Sequence, residues 1–446
     1  MNKTILQIFF IVLCFNVLKA NETRKPNIII FLSDDHGAED AGCFGNPDLK
    51  TPVIDQLAND GVVFTNAFSP VSVCAPSRSA LFTGLYPHRN GCDKNHGSIR
   101  PGIQTLPGYL KPLGYEVVLA GKKHISPEES FDFSYIERHQ IPAFLAGKKE
   151  KPFCLVVSFN TPHQPYFNLK EGFGRNIVPK EWLPDTKETR LYTAACYDHV
   201  TLLDNELGAC LYWVEKYGYS DAVQIYTSDH GPAFPFAKWT LYNQGIRVPL
   251  IVKWKDKVLP GSVNDALVSF VDILPYIVEI AGGESPENID GRSLLPLLQN
   301  KTDKLHDFVY ATYTNTGVAG ANEYPVRAIL NSKFKLIVNL KHNNGFHIKR
   351  MDMPDERAVI DSYSVLQSWI KEGTGTPAYE RAMFHWNRPF IEMYDLENDP
   401  YELVNVASDD NFSDLKELLL SELIVWMKNQ NDPITEELIE LTGKIK

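Results

Sequence analysis

Four places in this 446-residue chain set metal-ligating or proton-transferring side chains just after an apolar run. Ile28 to Leu32 runs into Asp34-Asp35, and Tyr115 to Ala120 into Lys122-Lys123-His124. Phe153 to Phe159 leads to His163, and Ala222 to Thr227 runs into Asp229-His230. Adjacent carboxylates are hard oxygen donors suited to Ca2+ or Mg2+ rather than to a soft metal. Histidines near neutral pH pass protons, and lysines neutralise anionic oxygens. Any one of these groups is common in a solvated loop; their recurrence after four separate runs points to one site. A fifth element is Cys74, followed by Pro76 and the segment Ser77 to Gly84. Pro76 suits the first turn of a helix. That sets Cys74 at a helix N-terminus, where free N–H groups and the dipole favour an anion, with Arg78 about one turn in. The plain alternative is a buried structural cysteine ahead of a capped helix.

The runs must be positioned by something. Continuous apolar stretches of this length suit strands buried on both faces, as in a parallel sheet. Val248 to Val252 is another such run. Helical segments are expected at Thr51 to Asn59, Ala194 to Trp213 and Val271 to Ala281. Strands alternating with helices give an α/β fold, and ligands of open α/β sheets gather beyond the carboxyl ends of the strands. The polar groups above stand at those ends.

Past residue 300 the pattern changes. Phe334 to Leu340 reads as a strand and Leu415 to Met427 as an amphipathic helix, while residues 341–390 are rich in His, Trp, Tyr and Arg with little periodicity. We therefore expect an α/β catalytic domain over 21–300 and a smaller α+β domain over 301–446 that completes the substrate pocket.

The net charge of −11 argues against general nucleic-acid binding but leaves room for a local cationic pocket. Residues 1–20 read as an export signal, with Lys3, the apolar run Ile5 to Val12 and Ala20 at the cleavage edge. No other segment is long and apolar enough to span a bilayer, so an exported protein with no membrane span after signal removal is expected. Setting aside Cys14 in that signal and Cys74, five cysteines remain (Cys43, Cys92, Cys154, Cys196 and Cys210). That number is odd, and no CxxC pair occurs, so no dense disulfide framework is expected.

Cys74-Ala75-Pro76-Ser77-Arg78 resembles the Cys-x-Pro-Ser-Arg signature of the formylglycine-dependent sulfatases, and Leu81 to Pro87 continues the pattern. The resemblance implies an alkaline-phosphatase-like fold, a large mixed, mostly parallel sheet sandwiched by helices. It implies that a maturation enzyme oxidises Cys74 to formylglycine, whose hydrated aldehyde attacks sulfur. Residue 74, Asp34, Asp35, Asp229 and His230 would hold a divalent cation, Ca2+ first and Mg2+ second. His230 departs from the pattern, since most sulfatases carry Asn there; it is a direct ligand or a neighbour of one. Arg78, Lys122 and Lys238 would neutralise the sulfate oxygens. His124 would act as the base, and His163 with Lys238 would serve the leaving group.

Within the family the N-sulfoglucosamine sulfohydrolases are the nearest resemblance. It rests on Gly121-Lys122-Lys123-His124 with Pro127-Glu128 and Phe131-Asp132-Phe133, on Phe234-Pro235 with Leu241-Tyr242, and on Tyr324-Pro325-Val326-Arg327. It adds His96 and Arg327 as substrate-binding residues; Arg327 could equally serve a domain-interface ion pair. The expected substrate is the N-sulfate of glucosamine in heparan sulfate or heparin fragments. An exo-acting O-sulfatase on a glycosaminoglycan or other sulfated glycan stands second. A phosphate or phosphonate ester hydrolase of the same superfamily stands third.

Overall fold

The computed structural model describes residues 25–147, 150–166 and 177–443. The export-signal reading falls on 1–20, outside the described residues. Strands before residue 270 are β1 (Ile28–Asp34), β2 (Val62–Phe64), β3 (Ala67–Phe68), β4 (Glu116–Gly121), β5 (Ser134–Ile136), β6 (Phe153–Pro162), β7 (Val223–Ser228), β8 (Leu250–Lys253), β9 (Ser262–Asn264) and β10 (Val268–Ser269). Eight of them form one sheet in the order β5-β4-β6-β1-β7-β8-β2-β9. The stretch from β5 to β7 is parallel throughout, and β8 runs antiparallel to both of its neighbours. This is the mixed, mostly parallel sheet expected from the sequence.

β1 shows why its run is continuously apolar. Successive side chains of a strand point to opposite faces. Ile28, Ile30 and Leu32 pack with Leu81, Phe82, Ile273 and Ile277 on one side. Ile29 and Phe31 pack with Leu203, Leu207 and Val214 on the other. Both faces are thus covered by helices, the first by Cys74–Thr83 and Ile273–Ile280, the second by the 30-residue Lys187–Lys216. The last is longer than the segment expected from sequence because Thr186 caps it, its side chain accepting from Thr189 N.

A second sheet is antiparallel, in the order β11 (Val309–Tyr313), β12 (Val326–Leu330), β13 (Phe334–Asn339), β14 (Ile391–Asp395). Helix Ser413–Asn429 lays Leu419, Leu423 and Met427 on its Ile329, Leu336 and Val338. Residues 341–390, which lack clear periodicity, contain helices Ser362–Lys371 and Pro377–Trp386. The second sheet meets the loop that follows β7 through buried polar contacts. Lys335 Nζ donates to Leu241 O at 3.0 Å and pairs with Glu402 at 2.8 Å. Tyr242 Oη donates to Glu392 at 2.6 Å. Among the described residues all six cysteines are free thiols, and no helix is long and apolar enough to cross a membrane.

Candidate active site

Strands β4, β6, β1 and β7 are consecutive in the sheet and parallel, so their carboxyl ends form one edge. Asp34 ends β1, and Lys122, His163 and Asp229 each follow the last residue of a neighbouring strand. Lys122 Nζ donates to Asp34 Oδ2. Lys238 Nζ donates to both Asp35 oxygens, at 2.6 and 2.8 Å. Cys74 Sγ lies 3.2 Å from His230 Nε2, 3.6 Å from Asp34 Oδ1 and 3.8 Å from Lys238 Nζ. His163 Nε2 stands 3.9 Å from Asp35 Oδ2. His124 Nε2 is 3.0 Å from His96 Nδ1, and both rings face solvent more than the rest of the cluster.

Helix Cys74–Thr83 begins at Cys74 and ends at Gly84, whose φ of 66° makes the left-handed cap. All ten of its residues are buried, which fixes the thiol against the strand ends. The backbone is held in the left-handed region at Asp35 (φ 66°), His96 (58°), His124 (46°), Phe236 (63°) and Trp239 (67°). Such conformations cost free energy in non-glycine residues and persist where surrounding structure over-determines them. The loop carrying Lys238 is folded tightly enough that a Cβ on Gly231 would fall 1.8 Å from Gln244 O.

Electrostatics follow from three carboxylates facing three cations. Burial disfavours the charge on Asp34, and Cys74 opposes it too, yet Lys122, His163 and Arg78 hold its pKa at about 2. Burial alone would raise the Cys74 thiol; Lys238, Lys122 and His230 instead bring it well below the usual thiol range. Burial pulls His230 down, but Asp229, Cys74 and Asp35 raise it to about 9. Burial pulls His163 down as well, but Asp35, Asp34 and Cys74 together raise it.

Comparison with known proteins now bears on this arrangement. Residues 26–140 and 136–283 match the sulfatase family model. The chain belongs to the sulfatase family. Its members are hydrolases of sulfate esters. Residues 231–368 of this sulfatase also match the model "N-sulphoglucosamine sulphohydrolase, C-terminal". An ulvan-active sulfatase of Formosa agariphila is 37% identical over 434 residues, covering 94% of this chain and 83% of the relative. The human N-sulphoglucosamine sulphohydrolase is 30% identical over 475 residues, covering 94% and 93%. A protein solved in complex with its substrate D-glucosamine-2-N,6-O-disulfate shares the fold, with a TM-score of 0.69 at 20% identity over 92% of this chain and 99% of that one.

The sulfatase's cluster fits a hard divalent cation. Ligand atoms of Asp34, Asp35, Cys74 and His230 all lie within 4.8 Å of one another and are buried. Two carboxylates supply hard oxygens, and the Cys74 sulfur stands where an oxygen of the oxidised residue would be. Asp229 is held differently from its neighbours. Its Oδ1 accepts from Asp35 N at 3.1 Å and His230 N at 3.0 Å, and its Oδ2 from Arg78 Nε at 2.9 Å. Arg78 completes its own fork on Ser158 Oγ at 2.7 Å and is fully buried. Of the lysine pair, Lys123 turns away to Glu128 at 2.6 Å and covers the Tyr135 ring.

Arg327 corrects an expectation. It is 1% exposed, and its guanidinium is taken by Asp432, at 2.9 Å for Nη2–Oδ1, and by the carbonyl of Val326 at 2.8 Å. With every reachable donor engaged inside the C-terminal sheet, it serves packing rather than sugar binding. Two serines in the sulfatase's site were missed from sequence, Ser158 and Ser228, which donates to His230 O at 3.0 Å; Ser77 of the signature donates to Asp229 O at 2.6 Å. The available signal was a hydroxyl interrupting an apolar run, as Ser158 does within 153–159.

Proposed function

We propose that this sulfatase removes a sulfate group from a sulfated sugar, and that its substrate is the N-sulfate of glucosamine at the end of a heparan-type chain. The observation that carries the sugar assignment is the match of residues 231–368 to the C-terminal part of N-sulphoglucosamine sulphohydrolases, joined by the 30% identity to the human enzyme over nearly its whole length.

The chemistry follows from the residues. Asp34, Asp35, residue 74 and His230 would hold the divalent cation, with Asp229 fixing Arg78 and the backbone beside them. When bound, that ion supplies Lewis-acid neutralisation of sulfate oxygens, and formylglycine at residue 74 supplies an oxygen nucleophile with a second hydroxyl. Lys122 and Lys238, both beside Asp34–Asp35, bind the remaining sulfate charge and orient it. His163 is partly open, and its raised pKa favours the protonated ring that a departing amine requires. His124 faces Cys74 from the solvent side and takes the proton that frees residue 74 for the next turnover. Its ring is oriented by His96.

A second reading is an O-sulfatase on another sulfated polysaccharide, supported by the 37% identity to the ulvan-active sulfatase. Sulfate release is measured from N-sulfated glucosamine, from 6-O-sulfated N-acetylglucosamine and from an ulvan oligosaccharide. Release from the first alone is expected. Release only from either of the others transfers the assignment to the second reading, and none from any of the three removes the sugar-sulfatase proposal.

A further inference from the structure

Two arginines in the C-terminal part of the chain carry buried guanidinium nitrogens without an acceptor. Arg381 lies on helix Pro377–Trp386, and Arg388 follows that helix. Arg388 is 3% exposed, and its Nε and Nη2 have no hydrogen-bond partner; Arg381 Nε has none either. Both rest on aromatic rings instead. Arg381 Cζ is 3.6 Å from the Phe236 centroid, and Arg388 Cζ is 4.2 Å from Phe346 and 5.5 Å from Tyr242.

The rest of the molecule treats buried cations differently. Arg78 pairs with Asp229 at 2.9 Å, Lys238 with Asp35 at 2.6 Å and Lys335 with Glu402 at 2.8 Å. Arg327 has Asp432. A buried charge is costly unless it is paired, and cation–π contact returns only part of that cost. The two buried carboxylates of this region are engaged elsewhere: Glu402 pairs with Lys335 at 2.8 Å, and Glu392 accepts from the Tyr242 and Tyr394 hydroxyls at 2.6 and 2.5 Å and from Asn339 Nδ2 at 2.7 Å. His385, between the two arginines in sequence, is wholly buried with both ring nitrogens unpartnered, and supplies no negative charge.

Position makes the pair meaningful. Phe236, under Arg381, belongs to the same tight loop as Lys238, whose ammonium sits on Asp35. Arg381 is half-buried and lies nearer solvent than Arg388, which is buried. A guanidinium offers a planar fork that matches the paired oxygens of carboxylate or sulfate.

We propose that Arg381 and Arg388 form an anion subsite beside the sulfate-binding cluster, taking an acidic substituent (carboxylate or second sulfate) of the sugar next to the one that is desulfated. This rests on the sugar-sulfatase reading above and extends it from a monosaccharide to an acidic oligosaccharide.

Calorimetric binding to the full-length Cys74→Ala protein tests it, with a heparan tetrasaccharide in three forms: native, carboxyl-reduced and desulfated. Arg381→Gln is expected to weaken binding of the native form tenfold or more. The loss disappears with the carboxyl-reduced form if the carboxylate is the contacted group, and with the desulfated form if sulfate is. Arg388→Lys, which keeps the buried charge but loses the fork, is expected to show the same pattern. Equal affinity of the Cys74→Ala protein with and without Arg381→Gln for the native form overturns the proposal. So does an equal loss on all three forms, which marks a structural role, and so does failure of the Cys74→Ala protein to bind any of them. Because this readout needs no turnover, an enzyme that released no sulfate would count against the function proposed above and leave the binding result standing.

Discussion

In the proposed reaction Cys74 is the residue on which the chemistry turns, and its surroundings say what its replacement does. Cys74→Ser keeps a small polar group in the same buried space, so the protein is expected to fold and to bind sulfated sugar while turnover falls at least about 10³-fold. Sulfate release near the parent rate would remove residue 74 from the nucleophile's role. At this scale much of the site was legible. Asp34, Lys122, His163 and Asp229 follow apolar runs, and a buried run that stops at a charged residue announces a strand end. Arg327 stayed between two readings, sugar contact and ion pair, because nothing local announces Asp432, which lies 105 residues on and meets it only in the folded state. The left-handed backbone at Asp35 and His124 was equally invisible, since neither residue is the glycine that usually marks it.

Among the elements, the loop from Asp229 to Ile246 is the most constrained. Gly231→Ala would press its Cβ against Gln244 O, at 1.8 Å, and is expected to cost about 3 kcal/mol and most of the activity through Lys238. Gly102→Ala, at φ +82° with open space around it, meets backbone strain alone and should cost about 1–2 kcal/mol. Comparing urea midpoints of the two variants checks this. The helices of 341–390 were not legible because each is only ten residues long, too short for the shared face of Val365, Leu366 and Trp369 to stand out among the polar and aromatic residues around it. By contrast Leu415 to Met427 was legible because its Leu419, Leu423 and Met427 form such a stripe against a sheet.

Across the whole molecule, the two sheets are joined partly through His88, which is 4% exposed and lies 3.0 Å from Thr312 Oγ1 and 3.5 Å from Asp432. Burial first, and then Arg327, lower its pKa to about 3. The unfolded chain takes up a proton near pH 6.5 that the folded protein refuses until about 3. Stability from this group is therefore whole above about 6.5 and falls with acidification through that window, by at most about 1.4 kcal/mol per pH unit. His88→Gln should flatten the dependence of the urea midpoint between pH 7 and 4; an unchanged slope would exclude His88 as its source. The clustered carboxylates give a second global prediction. Chelation should lower both activity and melting temperature, and Ca2+ at a hundredfold above its Kd should return about 2.7 kcal/mol. Melting that ignores chelator and Ca2+ alike, in protein verified metal-free, would remove the cation.

The burial of Cys74 also sets an order of events in time. The thiol is 3% exposed, at the start of a helix whose every residue is covered. No second enzyme can close around a side chain in that position without unmaking the sheet edge above it. Oxidation by a maturation enzyme would have to read the segment around Cys74 as extended chain, before the strands assemble. Folded protein carrying an unmodified thiol should then stay inactive when the maturation enzyme is added, while an unstructured peptide spanning residues 70–85 is converted. The fold that buries residue 74 would thereby also close the interval in which it can be modified.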